Sequence, residues 1–318
     1  MSAERSTLLK LAAFAAALVV AFGAAFALGR VVAPVSADAQ GSHAAGDADG
    51  GTDQHGGSED GMNDHGTGEH GTDPESGLTQ ALPPGLAVSE AGYTLVPAGT
   101  FLDAGAATAF SFVVTDPDGK PLTNYVETHE KDLHLIVVRR DMTGFQHVHP
   151  ALAEDGTWSV ALDLPAAGTY RVFADFSPVG LDRTLTLGTD IEVAGDLTPV
   201  PLPGPDPTST LEGYEVRIEG AAVTGAESQL TFTVSRDGQE LTDLEPYLGA
   251  FGHLVSLRVG DLAYLHTHPI ESAQAGQQGG PAVEFGTEFR TAGTYRLFLD
   301  FQHDGAVHTA EFTVVVHD

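Results

Sequence analysis

Six histidines occupy matched places in the chain: His134, His147 and His149, then His253, His266 and His268. Each trio reads as a histidine, an apolar run, a turn and then His-x-His-Pro, with the same spacing both times. Imidazole ligates transition metals and titrates near neutrality, so its chemistry here depends on whether the spacing brings the rings together. Gly260-Asp261 suits a two-residue hairpin turn, which sets Val259 opposite Leu262 and, counting outward, His253 opposite His268. Opposed residues of an antiparallel pair have Cβ atoms about 4.5–5.5 Å apart, and His266 shares the face of His268 because it lies two residues away. The first trio has the same spacing across Asp141-Met142-Thr143-Gly144. Each hairpin is therefore expected to gather three imidazoles on one accessible face.

Three neutral imidazoles on a preformed sheet can hold a divalent transition ion and leave a position open for water or an anion. Cysteine is absent, so thiolate ligation and disulfides are excluded. In an oxidising compartment the affinity order puts Cu(II) first, with Zn(II) and Ni(II) as alternatives. Met62 and Met142 are the only methionines after the first residue, too few for a thioether relay of Cu(I). Asp175 and Asp300, at equivalent places, are candidates to complete the shell or to orient a ring N–H. Their competing role is a salt bridge, to Arg139 or Arg171 in one copy and to Arg258 or Arg296 in the other. The histidines have a competing role too, as structural residues bonded to backbone carbonyls, with Pro150 and Pro269 ending the ladder. His129, His303, His308 and His317 have no counterpart in the other copy and are expected on the surface.

The elements that must position these rings form two copies of one module. Gly92-Tyr93 recurs as Gly213-Tyr214, Asp118-Gly119 as Asp237-Gly238, and the stretch from Gly168 to Phe176 as that from Gly293 to Phe301. Ordered matches of this kind identify an internal repeat. Within the first copy, residues 108–115, 133–139, 157–162, 169–176 and 184–193 are short runs bounded by turn residues, the pattern of strands. About seven short strands in roughly 110 residues is the profile of an immunoglobulin-like sandwich. The expected fold is all-β: two tandem sandwiches at 83–195 and 211–318, joined by a linker at 196–210. Alternate prolines from Pro199 to Pro207 should keep that linker extended and the two bodies spaced apart.

The region before the sandwiches supplies an address. Eighteen uncharged residues from Leu11 to Leu28 follow Arg5 and Lys10, long enough to cross a bilayer core. The basic residues precede the span and acidic sequence follows it, so residues 1–35 read as a single-pass anchor with the rest outside the cytoplasm. Cleavage near Ala37-Asp38-Ala39 would instead release a secreted protein. Residues 36–82 carry His43, His55, His65 and His70 among Gly, Asp and Glu, a composition expected to form a disordered tether able to collect cations loosely. The formal charge is -30, which repels phosphate backbones, so nucleic acid is not an expected partner.

Around His134-Leu135-Ile136-Val137-Val138-Arg139, His147-Val148-His149-Pro150, Gly168 to Phe176 and their second-copy partners, the chain resembles membrane-anchored, extracytoplasmic immunoglobulin-like proteins of high-GC bacteria of the heavy-metal-binding, YtkA-like or CopC-like type. The resemblance implies metal handling outside the cytoplasm. CopC-like proteins use a mature N-terminal histidine as a ligand, and neither Met1 nor Gln40 is histidine, so that particular copper site is not carried over. The expected function is binding of a divalent transition metal, for buffering or delivery, without catalysis. The alternative is an envelope adhesion or assembly module with structural histidines and no metal, which presents a surface to another envelope protein. An enzyme is not expected: His147-x-His149 with Glu154 imitates part of a cupin motif, but the second copy does not repeat it, and there is no Gly-x-Ser-x-Gly elbow.

Overall fold

The computed structural model describes residues 82–265 and 267–318. The expected anchor, all of the tether before Leu82, and His266 lie outside the described residues. Within them every regular element is a strand, and no helix is long and apolar enough to cross a membrane.

Alternating burial builds the first sandwich. Its outer sheet runs Ser89–Glu90, Tyr93–Pro97, Gly105–Thr115, Thr157–Leu164, Ala151–Leu152 in spatial order. Its inner sheet runs Phe101–Leu102, Leu185–Val193, Gly168–Pro178, Leu133–Arg139, Gln146–Val148. Between them Phe112, Val114, Leu135, Val137, Trp158 and Val172 pack a core without a disulfide. The second sandwich repeats the plan, with an outer sheet of Thr208–Leu211, Tyr214–Glu219, Ser228–Arg236, Ala282–Thr287 and Thr267–Pro269. Its inner sheet is Tyr264–Leu265, His253–Arg258, Gly293–His303, Ala306–Val316.

The two inner sheets do not face water. Leu133–Arg139 is buried at all seven positions, because Leu133, Leu135 and Val137 enter the core of their own sandwich while Ile136 and Val138 join a third cluster. That cluster also holds Met142 and Phe173 from the first sandwich, and Val255, Leu257, Leu262, Tyr264 and Phe298 from the second. Phe145 stacks on Phe298 with ring centroids 4.0 Å apart. The expectation that the proline-rich linker holds the bodies apart is thus corrected: the outward faces of the two inner sheets are apolar, and burying them against one another outweighs chain stiffness. The linker itself is held down, since Thr198 accepts from Arg139 and the Val200 amide donates to Asp141.

Residues 84–87 thread the seam. The Gly85 amide donates to Thr186, the Gly188 amide to Ala87, and the Tyr264 amide of the second sandwich to Pro84. Arg171 caps the Gly85 and Leu86 carbonyls. Gly85 has φ of +77°, and a Cβ there would lie 2.6 Å from the Phe173 ring and 3.0 Å from Tyr264, so the backbone approach needs glycine.

Candidate metal centre

The predicted hairpin registers are present. Leu135 pairs with Val148 and Ile136 with His147 in the first copy, which places His134 and His149 at the next opposed position. Ser256 pairs with Leu265 and Leu257 with Tyr264 in the second copy, the register counted from Gly260-Asp261. The turn itself differs: the Leu262 amide donates to Arg258 and the Val259 amide to Thr294, so Val259 and Leu262 do not bond each other. There the copies part. The second hairpin strand leaves the inner sheet after Leu265, and Thr267–Pro269 pairs with Ala282–Thr287 of the outer sheet. This corrects the expectation for His268: it is exposed and lies opposite Gly286, not opposite His253. In the first copy the crossing comes later, at Ala151–Leu152, so His149 stays with its partners.

His134, His147 and His149 converge, each with one ring nitrogen within 4.8 Å of the other two. His134 Nδ1 lies 3.0 Å from His147 Nε2 and 3.1 Å from His149 Nε2. The opposite nitrogens of two rings are tied down: His134 Nε2–H donates to the Thr128 carbonyl at 2.9 Å, and His147 Nδ1–H donates to Asp300 Oδ2 at 2.9 Å. Those two bonds fix the tautomers. Neutral rings so arranged turn lone pairs toward each other at 3.0 Å, and only a shared proton or a cation reconciles them. With metal–nitrogen bonds of about 2.0–2.1 Å, ligand nitrogens lie about 2.9 Å apart at right angles and about 3.3 Å apart at tetrahedral angles. The two separations from His134 Nδ1 fall between those limits. Ring centroids 5.3, 5.0 and 5.0 Å apart likewise match the roughly 5.2 Å of two imidazoles on one tetrahedral ion.

Local structure explains the placement. His129 and Glu130 both have positive φ, at 50° and 62°, and Thr128 and Lys131 bond each other across them, a tight turn that aims the Thr128 carbonyl at His134. The same device recurs six residues before His253. Tyr247 and Ala250 bond each other across Leu248 and Gly249, and the Tyr247 and Leu248 carbonyls accept from His253 Nε2–H at 3.0 and 3.1 Å.

The second sandwich walls the cluster. The His253 ring lies 6.2 Å from His147 and 6.5 Å from His134. His129, expected on the surface, instead packs 5.2 Å from His253 and 6.1 Å from His134; Leu248 holds its place in the other copy, and no spacing rule pointed to it. A cavity of about 30 Å³ among His129, His134, His147, Asp175, His253 and Tyr264 is roomy enough for a water molecule. A larger cleft of about 640 Å³ runs along residues 203–206 and the Thr309–Thr313 side of the second sandwich, with no described histidine in its lining.

Burial, then the surrounding imidazoles, push His149 and His253 down to about 3, so both rings are neutral at pH 7. Asp300 also accepts from Thr309 Oγ1 at 2.6 Å, and Asp175 accepts from Thr186 Oγ1 at 2.7 Å. The competing salt bridges do not form: Arg139 pairs with Asp141, Arg171 with Asp190, Arg258 with Asp261 and Arg296 with Glu311. Of the other unmatched histidines, His303 is buried and bonded to the Tyr214 hydroxyl at 2.9 Å, His308 meets Glu212 at 3.0 Å, and His317 is exposed.

The model of a family described as a domain of unknown function, DUF8832, matches residues 87–193 and again residues 209–318. Among solved structures, a DUF4426 family protein from Pseudomonas aeruginosa PAO1 is 7% identical with a TM-score of 0.26, covering 35% of this chain and 97% of that one. The Escherichia coli adhesin FdeC is 15% identical with a TM-score of 0.24, over 72% of this chain and 65% of its own. The D0-D1 domain of intimin is 9% identical with a TM-score of 0.20, over 69% and 96%. Likenesses at these scores carry no argument about function. No curated protein matches.

Proposed function

The chain belongs to the DUF8832 family in both of its sandwiches, and from that footing we propose that it binds one divalent transition metal ion, Cu(II) before Zn(II) or Ni(II), on His134, His147 and His149. One observation carries the reading: three ring nitrogens converge while Thr128 and Asp300 hold the far sides of two of the rings. A site made of imidazole alone suits these ions, and the affinity order favours copper. The sequence 1–35, read as an anchor, puts this centre outside the cytoplasm, where it would buffer or hand on the ion rather than transform a substrate.

Metal analysis and titration of the purified full chain with Cu²⁺ and Zn²⁺ test this. The expected result is one tight equivalent that is lost in His149→Ala and in His134→Ala, above any loose binding by the tether histidines. Wild-type stoichiometry and affinity in both variants would defeat the assignment.

A further inference from the structure

Within this metal reading, one feature stays unexplained: the carboxylate that orients His147 comes from the other sandwich. Asp300 is 2% exposed, its hydrogen bonds come from Thr309 and His147, and among the described residues no Arg or Lys pairs with it. A carboxylate taken out of water without a cationic partner is costly. A dication on His147 Nε2 would supply that charge through the ring, and the same carboxylate keeps the proton on Nδ1 so that Nε2 remains a ligand. Asp300 sits directly opposite His253 in the strand pairing, on the face that packs against the first sandwich. Its contact with His147 therefore exists only while the sandwiches are docked.

We propose that ion binding at the trio and docking of the two sandwiches are a single linked equilibrium, with Asp300 as the positioning residue that couples them. Docking turns three imidazoles into a tight site, and a bound ion fastens the seam. Linkage requires both effects to have the same factor. The second copy thus acts as the clamp of the first copy's centre. The inference rests on the metal reading of the trio.

Zn²⁺ titration of the full chain, read against His149→Ala to isolate the trio, tests it with two variants that replace no ligand. Asp300→Asn keeps the shape and removes the charge; it is expected to weaken trio binding by about 10- to 100-fold. Leu262→Asp opens the apolar seam away from the imidazoles and is expected to weaken binding by a similar factor. Small-angle scattering of Leu262→Asp should show a larger radius of gyration that shrinks when Zn²⁺ is added. Should Asp300→Asn misfold, Thr309→Val, which strips one bond from the carboxylate, should give a smaller loss in the same direction. Wild-type affinity in Leu262→Asp together with wild-type affinity in the Asp300 or Thr309 variant overturns the coupling while leaving the site intact. Absence of His149-dependent binding in the wild type overturns the metal reading, and the coupling with it.

Discussion

A neutral imidazole offers one lone pair, and the position of its proton decides where that lone pair points. In this chain a backbone carbonyl makes that choice for His134 and His253, and a carboxylate makes it for His147. Burial then keeps His149 and His253 neutral, down to about pH 3, so at His149 protons do not compete with an ion across most of the acid range. The same shifts tie stability to pH. Unfolded histidines take up protons below about 6.5 while these two folded rings do not, so the unfolded state binds more protons and stability falls as pH drops from about 6.5 toward 3. Thermal unfolding of the metal-free chain should show that loss between pH 6.5 and 5, above the carboxylate range, with a shallower slope in His253→Gln. An unchanged slope would remove the neutral-histidine account. Residue types and spacing picked out His134, His147 and His149; the Thr128 and Tyr247 carbonyls were not legible, because backbone groups leave no mark on composition.

Strands explain both what the sequence showed and what it hid. Period-two reasoning located the run Leu133–Arg139 and both hairpin registers. The sequence of that run, Leu-His-Leu-Ile-Val-Val-Arg, is nearly continuous in apolar residues, which is the mark of a strand buried on both faces. That was the available signal that the imidazole face is covered rather than open. The point at which a strand crosses to the other sheet is set by packing around Thr267 and Ala151, and nothing in His-x-His-Pro distinguishes the copies there. His268→Ala is accordingly expected to leave trio binding unchanged where His149→Ala abolishes it, and equal losses in the two would contradict the crossing. Gly85→Ala should lower the midpoint of thermal unfolding, because both the positive φ and the Phe173 contact oppose a methyl group. A neutral result by calorimetry would mean that residues 84–87 can leave the seam at little cost.

Two modules that the sequence reads as beads on a string fold as one body with three apolar layers. Ile136, Val138 and Phe173 are 0% exposed in the seam, as are Leu257 and Phe298 across from them, which is core-like packing between domains. Phe298→Ala removes the ring stacked on Phe145 and should cost about 3–5 kcal/mol, splitting a single calorimetric transition into two. A single transition at an unchanged midpoint would show that the seam adds nothing to cooperativity. The duplication was legible from four ordered matches; the docking was not, since it depends on which faces of two similar sheets are complementary.

The run through residues 84–87 gives the seam a mechanical role. Any tension arriving along the backbone at Leu82 meets the amide of Gly85 gripping Thr186 and the carbonyl of Pro84 gripped by Tyr264. The load therefore falls on both halves at once. Tyr264 is also part of the cavity wall beside His134 and His147, so a pull on the chain reaches the surroundings of two of the three converging rings.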